Sequence, residues 1–478
     1  MDILFIDPPY TTLKNMTMDR GYNMGLTSLA AYLREAGFET GIIMGDLILD
    51  TGKGFLRSLI PGANQNVNRY AAGQQSYEHI VSTADHPVWN NLRDMVRHYH
   101  PAAVGISYIT PLRHSVTCVA RLVKEVDPSI KVIAGGFQPT FCPEDVMSNP
   151  DIDFIIRGEG EIPLLALMRE LKKPEPDFPS VRGISYRDAG GAVHENPPAD
   201  VIENLDSLPF PARDLVLNCD YSVFRLHNII TARGCPYTCS FCADRRLWNG
   251  KVRRRSVAHV IREIEQLAAT YNINYIDMVD GTFTYDRHYT REFCNEIINR
   301  NLKIKWRCTA RYDNLDPNIL SLMKKSGCAG MYFGLESGSD SVLQSIDKKF
   351  TVKDAIEASR MVRESGIPCS TSILFGLPEE TPEDASNTLE LMKLVKTEIF
   401  DINSFIPLPG TCAWDEMELD DRANIDWLKV GYKSFDNYFS RKMPKEEFQG
   451  YLRNAYRIAE STRRKTIIRF VIKRLIGK

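Results

Sequence analysis

Three cysteines carry the most specific chemistry in this chain. Cys235, Cys239 and Cys242 stand at C-x3-C-x2-C spacing in the stretch Thr231-Ala-Arg-Gly-Cys-Pro-Tyr-Thr-Cys-Ser-Phe-Cys242. An apolar run, Asn228-Ile-Ile-Thr231, leads into them, and a polar, basic segment follows. That order predicts a strand ending in a loop that offers three thiolates to one point. Three thiolates are one short of the four that close a structural zinc or iron–sulfur site. In one reading the cysteines hold three irons of a four-iron, four-sulfur cluster, and the fourth iron binds a substrate or cofactor. In the other they hold zinc with a fourth ligand from elsewhere, such as His227. Zinc motifs usually come as two C-x2-C knuckles, and this sequence has no second one. The cluster is therefore the favoured reading. Three unligated thiols would invite oxidation.

Composition sets the frame around this loop. A chain of 478 residues has room for about three domains. It is 43% hydrophobic and 25% charged, ordinary for a globular protein. A net charge of −2 gives no overall pull toward nucleic acid or acidic lipid. Eleven cysteines without a regular framework point to a reducing cytoplasm rather than a disulfide scaffold. Met1-Asp2 runs straight into Ile3-Leu-Phe-Ile6, which reads as a strand and not a signal peptide. No apolar run approaches the ~20 residues of a membrane span.

The elements that must position the chemistry alternate between strand and helix. In the N-terminal third, Ile3–Ile6, Thr40–Met44, Ala103–Ser107, Lys131–Ala134 and Asp153–Ile156 read as strands. Leu26, Leu29, Ala30 and Leu33 share a helical face between the first two, closed by Gly37. This pattern predicts a Rossmann-like, doubly wound parallel sheet over residues 1–170, with ligands at the carboxyl ends of its strands. Residues 171–224 read as a linker with a small hairpin around Gly190-Gly191. Beyond it, strand-like runs begin at Asn228, Tyr275, Ile304, Gly330, Ser372 and Asp401. Six strand–helix units are too few for the eight-stranded barrel, so a partial (β/α)6 barrel is expected over 225–411. Residues 412–478 read as a C-terminal helical region. The fold class is α/β.

The cysteine loop, with Phe241 just before its last cysteine, resembles the signature of the radical S-adenosylmethionine (SAM) enzymes. The resemblance implies that the amino and carboxylate groups of SAM chelate the open iron, with Phe241 near the adenine. One electron then breaks the sulfonium bond, and a 5′-deoxyadenosyl radical abstracts a hydrogen atom. Asp280-Gly-Thr-Phe283 is similar to the Asp-Asp-x-Phe segment of one branch, with Val279 at the first acidic position. Asp280 would bind the SAM ammonium, or else serve as a helix N-cap. Arg311 would face the SAM carboxylate or ribose, or else the substrate or surface. Gly334-Leu-Glu-Ser-Gly-Ser339 is the sharpest secondary match and implies that Glu336 and Ser337 contact SAM. Gly376-Leu-Pro-Glu-Glu-Thr381 and Pro407-Leu-Pro-Gly-Thr411 complete the pattern, or are turns.

The N-terminal third is similar to the cobalamin-binding domain found in many of these enzymes. The matching pieces are Asp7-Pro-Pro9, Gly25-Leu26, Val104-Gly-Ile-Ser107, Gly135-Gly-Phe-Gln-Pro-Thr140 and Arg157-Gly-Glu-Gly-Glu161. Ser107, Gly135, Gly136, Gln138 and Glu159 are the implied cofactor contacts. The Asp-x-His-x-x-Gly signature of cobalt-ligating domains is absent, and Gln138 stands where relatives often carry histidine. A Rossmann-like domain that kept its fold and lost its cofactor is the alternative. The resemblance implies a cobalamin-dependent radical SAM enzyme that transfers methyl to an unactivated carbon. Its cofactors would be a [4Fe-4S] cluster, SAM and cobalamin. It would draw on an external electron donor such as flavodoxin or ferredoxin, act on a small molecule or lipid, and bind no nucleic acid. Radical cyclisation, ring contraction or rearrangement is the second reading, and a non-catalytic zinc or iron–sulfur scaffold the third. No catalytic acid or hydrogen donor is assigned.

Other features have weaker claims. Residues 46–101 are long for a connection and read as a lid or binding segment, with His79, His86, His98 and His100 as surface histidines. Among the isolated cysteines Cys308, Cys328, Cys369 and Cys412, the first and last lie near strand ends. Residues 461–478 hold seven basic residues and no acidic one, with Ile468, Val471, Ile472 and Leu475 on one helical face. This helix either docks its apolar face on the protein, the preferred reading, or makes peripheral contact with a membrane.

Overall fold

The computed structural model describes residues 1–10, 23–48, 67–219 and 227–475. Part of the polar run expected in the long connection, residues 63–66, lies outside them. The chain divides into two units. Among the described residues, one is built from 1–10, 23–48, 72–219 and 246–249, the other from 67–71, 227–245 and 250–475.

The first unit is a seven-stranded sheet. Strand β1 (Ile3–Asp7) lies between β2 (Thr40–Met44) and β3 (Ala103–Ser107), and β4 (Lys131–Gly135) and β5 (Phe154–Ile156) follow. These five are parallel. Both faces of β1 are covered, with every residue of the strand buried, which is why its sequence is a continuous apolar run. The strand order reverses between β1 and β3, so the ligand crevice of such a sheet opens beyond Asp7 and Ser107. Asn23 joins the end of β1 to the helix Met24–Glu35. Its side chain accepts from Leu26 N (3.2 Å) as N-cap and donates to Asp7 Oδ1 (2.9 Å).

Two expectations change here. The hairpin, β6 (Ile184–Arg187) and β7 (Val193–Glu195), is the edge of the first sheet, with β6 antiparallel to β5. Burial of Ile184 and Tyr186 against the core holds it there. Within 46–101, much of the expected loop is helical: Val67–Ser82 and Pro87–Tyr99. The second helix buries Val88, Trp89, Leu92 and Val96 on one stripe and starts at His86, whose Nδ1 accepts from Val88 N.

The second unit is a six-stranded parallel sheet with the neighbours in chain order. It comprises β8 (Asn228–Ile229), β11 (Tyr275–Met278), β12 (Lys305–Ala310), β13 (Cys328–Glu336), β14 (Cys369–Phe375) and β15 (Ile399–Ser404). A separate two-stranded antiparallel ribbon, β9 (Ala232–Arg233) with β10 (Arg253–Arg254), follows β8 in sequence. The six strands are those the sequence pattern predicts. One face of the sheet carries the core, in which Phe283, Phe293, Trp306, Phe333, Phe400 and Phe448 are fully buried. Each such side chain contributes about 1.5–3 kcal/mol over an exposed one. Cys308, Cys328 and Cys369 belong to this core, whereas Cys412 is exposed.

The C-terminal helix, Lys445–Leu475, docks through Phe448, Leu452, Ala455, Tyr456 and Ala459. Beyond Glu460 its docking weakens: Ile468 is 57% and Ile472 48% exposed. The preferred expectation, that this segment buries its apolar face, does not hold for these two residues. Among the described residues no helix is long and apolar enough to cross a membrane.

Candidate active site at the strand ends

The cysteine loop leaves the carboxyl side of β8 and is clamped at its base by the β9–β10 ribbon. Asp280, just past β11, holds the same base. Its Oδ1 accepts from Thr231 N (2.7 Å) and Ala232 N (3.1 Å), and its Oδ2 from the Thr231 hydroxyl. Burial pushes the Asp280 carboxyl above its ordinary range, and these hydrogen bonds draw it back down. Asp280 is thus not a helix N-cap here; it pins the entry to the loop. Gly281 beside it has no Cβ for a reason of space. An added Cβ would stand 3.0 Å from Asp244 Oδ2 and 3.4 Å from Cys235 Cβ.

The rest of the loop is tied to the segments that follow β13 and β15. Ser240 N donates to Ile346 O (3.2 Å), Ala413 N donates to Ser240 O (3.3 Å), and the Thr238 hydroxyl donates to Asp347. Phe241 packs on the cluster of Val342, Ile346, Leu374, Leu377 and Phe405. Burial, with Asp244 and Cys239 nearby, raises the Cys235 thiol. A bound metal centre would reverse that by favouring the thiolate. Among the described residues no three His, Cys, Asp or Glu side chains are gathered around a point that would hold a single ion. His227, the candidate fourth zinc ligand, sits at the amino end of β8 against Tyr275 (5.6 Å between rings). The loop leaves the other end of that strand.

Arg311 follows β12. Its guanidinium makes a two-pronged contact with Asp313 (Nε–Oδ1 3.0 Å, Nη2–Oδ2 2.9 Å) and lies 3.7 Å over the Tyr237 ring, inside the cysteine loop. It also donates to Lys348 O. Arg311 therefore braces the loop through Tyr237.

Glu336 ends β13 in an unusual backbone conformation, φ +72°. The register of β13 with β14 shifts between Gly334 and Glu336, and such a bulge re-aims a side chain. Gly334 makes room for that side chain, since a Cβ there would collide with Glu336 Oε1. The Glu336 carboxylate accepts from Lys348 Nζ (3.0 Å) and Ser372 Oγ (3.2 Å), and Asn403 Nδ2 donates to that same Oγ (3.1 Å). Lys348 Nζ also lies 5.8 Å from the centre of the Phe241 ring. Backbone strain of this kind concentrates at ligand sites. Ser337, by contrast, is fully buried and turned to the helix Pro382–Leu394, 3.3 Å from Thr388 Oγ1. Lys348, Ser372 and Tyr237 join the site only in the folded chain. Tyr237, between two of the cysteines, had positional signal, whereas Lys348 and Ser372 belong to no motif.

In the first unit, Tyr108 N donates to Gly135 O (3.0 Å), which joins the ends of β3 and β4. Gly136 has φ +100°, and a Cβ there would lie 2.7 Å from Tyr108 O and 3.1 Å from Ser107 Oγ. Gly135 and Gly158 leave open space: a Cβ would meet nothing closer than 3.7 Å at the first and nothing within 4 Å at the second. Gln138 is locked, 2% exposed. Its Oε1 accepts from Thr110 Oγ1 (2.7 Å) and its Nε2 donates to Asp145 Oδ2 (2.9 Å). Glu159, beside Gly158, is buried and accepts from Ile202 N (3.4 Å).

The sequence matches the B12 binding domain over residues 66–168 and the Radical SAM superfamily over 229–392. A B12-binding match is thus followed along the chain by a radical SAM match. It is 29% identical over 423 residues to an uncharacterized methyltransferase of Pyrococcus horikoshii, covering 85% of this chain and 91% of that one. It is 28% identical over 353 residues to the anaerobic magnesium-protoporphyrin IX monomethyl ester cyclase of Rubrivivax gelatinosus. That match takes in 72% of this chain and 63% of the cyclase. Among solved structures, the radical SAM methyltransferase TsrM of Kitasatospora setae, with cobalamin and a [4Fe-4S] cluster bound, has the same fold. Its TM-score is 0.64 at 19% identity, over 86% of this chain and 77% of that one. The radical SAM match takes in the cysteine loop, Asp280, Arg311 and Glu336, and the B12 match takes in Ser107, Gly136 and Glu159.

Proposed function

We propose that this protein is a cobalamin-dependent radical SAM methyltransferase acting on an unactivated carbon. The observation that carries the reading is the cysteine loop clamped at the strand ends beside Glu336, in a chain that also bears a B12-binding sheet. Cys235, Cys239 and Cys242 would hold three irons of a [4Fe-4S] cluster and leave the fourth for SAM. When bound, these cofactors supply one-electron cleavage of the SAM sulfonium and a carrier for its methyl group.

The protein's own part is position and charge. Asp280, with the β9–β10 ribbon, fixes the approach to Cys235. Arg311, through Tyr237, holds the turn between Cys235 and Cys239. Phe241, seated on its apolar cluster, would present its exposed side to the SAM adenine. Glu336, anchored by Lys348 and Ser372, would accept from the SAM ammonium or ribose. Ser107, Gly135, Gly136 and Glu159 would line the cobalamin crevice, with the glycines allowing close approach of backbone to cofactor. Gln138 would act from behind this line, fixing the segment after β4. The electron would come from a flavodoxin- or ferredoxin-like donor, and the substrate would be a small molecule or lipid.

Similarity to the cyclase supports a second reading, radical cyclisation or rearrangement without methyl transfer. Anaerobic reconstitution with iron, sulfide and cobalamin separates the two. Methyl transfer requires about four irons and one cobalt per chain, loss of iron on Cys235→Ala, Cys239→Ala or Cys242→Ala, and S-adenosylhomocysteine together with 5′-deoxyadenosine under turnover. Formation of 5′-deoxyadenosine alone would favour the cyclisation reading. Absence of both products from fully loaded protein would overturn the enzyme reading.

A further inference from the structure

We infer that a basic cleft at the amino ends of β14 and β15 binds the phosphate of an anionic lipid head group. The cleft has a volume of about 430 Å³ and is lined by Arg363, Lys393, Lys396, Lys465 and Arg469, with no acidic residue in its wall. Phe400 and Ile458 form part of an apolar floor. Lys396 and Thr397 lie just before the start of β15 at Ile399, so the cleft lies at the opposite end of these strands from the cysteine loop. The cleft is therefore separate from the cysteine-loop site.

Most of these charges have no ion-pair partner among the described residues. Lys393 pairs with Glu390, but among the described residues Arg363, Lys396, Lys465 and Arg469 have no acidic partner. Favourable interaction with helix C-termini explains Arg363, in the last turn of Val352–Ser365, and Lys393, near the end of Pro382–Leu394. It does not explain Lys465 and Arg469, which stand four apart on one helix, an arrangement that costs stability between like charges. Arg464 on the same helix is paired, with Glu460 at 2.7 Å. The uncompensated cations thus converge on the cleft. Three hydroxyl residues, Ser461, Thr462 and Thr466, also line it; the Thr466 hydroxyl already donates to Glu398 O (3.0 Å).

A lipid is the source that the neighbouring surface favours. Ile468 and Ile472 lie three residues beyond Lys465 and Arg469, so an exposed apolar stripe runs beside the cationic one. Residues 461–478 carry seven basic and no acidic residues. Cations beside exposed aliphatic side chains suit an interface where phosphates overlie acyl chains.

The test uses the full-length reconstituted protein in vesicle sedimentation. Vesicles of phosphatidylcholine alone are compared with vesicles containing one-third phosphatidylglycerol. Binding only to the anionic vesicles is expected, weakened at least about tenfold by K396E with K465E. The R457E control, on an exposed part of the same helix outside the cleft, should retain binding. Circular dichroism and Tm confirm that the variants fold. Equal binding by the parent and K396E/K465E would overturn the assignment to the cleft. No vesicle binding would overturn the lipid; thermal stabilisation by inorganic phosphate alone would then indicate a soluble phosphorylated ligand. Low-salt capture of an acidic electron donor, without vesicle binding, would overturn it in favour of a protein partner.

Discussion

Replacing Asp280 distinguishes a residue that pins the cysteine loop from one that binds SAM. Its carboxylate is buried and accepts three hydrogen bonds, from Thr231 N, Ala232 N and the Thr231 hydroxyl. Bonds to a charged acceptor contribute about 1.5–3 kcal/mol each. Burial opposes this by raising the carboxyl's pKa, so the net loss in Asp280→Ala is about 3–5 kcal/mol. At roughly 2–4 °C per kcal/mol for a unit of this size, the Tm of the transition should fall by about 10 °C. Asp280→Asn keeps one acceptor oxygen but turns an NH2 group toward a backbone donor, and should lose about half as much. Because Thr231 and Ala232 lead into Cys235, iron uptake should fall in the same order, alanine below asparagine below parent. Iron analysis and differential scanning calorimetry read both effects. An alanine variant with the parent's Tm and full iron would refute the pinning argument. If that variant kept its iron and lost only SAM affinity by titration calorimetry, Asp280 would be a SAM ligand.

Three further outcomes are expected. Glu380 is fully buried, its Oε2 accepts from Gly376 N (2.7 Å), and burial raises its carboxyl to about 8. The native state then holds a proton that the unfolded chain releases, so stability falls as pH rises from about 5 to 8, by up to about 1.4 kcal/mol per pH unit. Glu380→Gln should remove that slope in urea unfolding at pH 5.5 and 7.5, and parallel slopes in the two proteins would contradict it. Gly136→Ala places a Cβ 2.7 Å from Tyr108 O at φ +100° and should reduce cobalamin uptake at least tenfold while iron uptake is kept; normal cobalt content would show that this strand end is not the cofactor crevice. Lys348→Met leaves the buried Glu336 carboxylate without its cation, a loss of about 3–5 kcal/mol. It should weaken SAM binding with iron intact, and unchanged SAM affinity would rule out this role for the pair.

Much of the architecture is legible in the chain because parallel strands covered on both faces read as short apolar runs between helical patterns. Strands β1 to β3 and β14 are visible in this way, whereas β12 and β15 bury alternate residues and show as apolar/polar alternation. Asp153–Ile156 is visible too, but not that the hairpin after residue 183 joins the same sheet. That pairing depends on Tyr186 and Ile184 finding a core supplied by distant residues. The helix Pro87–Tyr99 carries Val88, Trp89, Leu92 and Val96 at helical spacing, so the sequence does hold its signal, although the length of the connection points to a loop.

By itself the sequence determined the three-cysteine loop, its place after a strand, the two α/β units and the glycines at their strand ends. These are local properties: spacing along one segment, hydrophobic period and backbone freedom. Tertiary structure alone decided what each polar residue does. Asp280, Arg311, Glu336 and Ser337 all lie near strand ends, but their partners are Thr231, Tyr237, Lys348 and Thr388, drawn from distant segments. It likewise decided that Lys396, Lys465 and Arg469 share one cleft. A carboxylate or cation acquires its role from the groups that meet it across the fold, and those meetings depend on how the strands and helices pack rather than on the order of residues along any one of them.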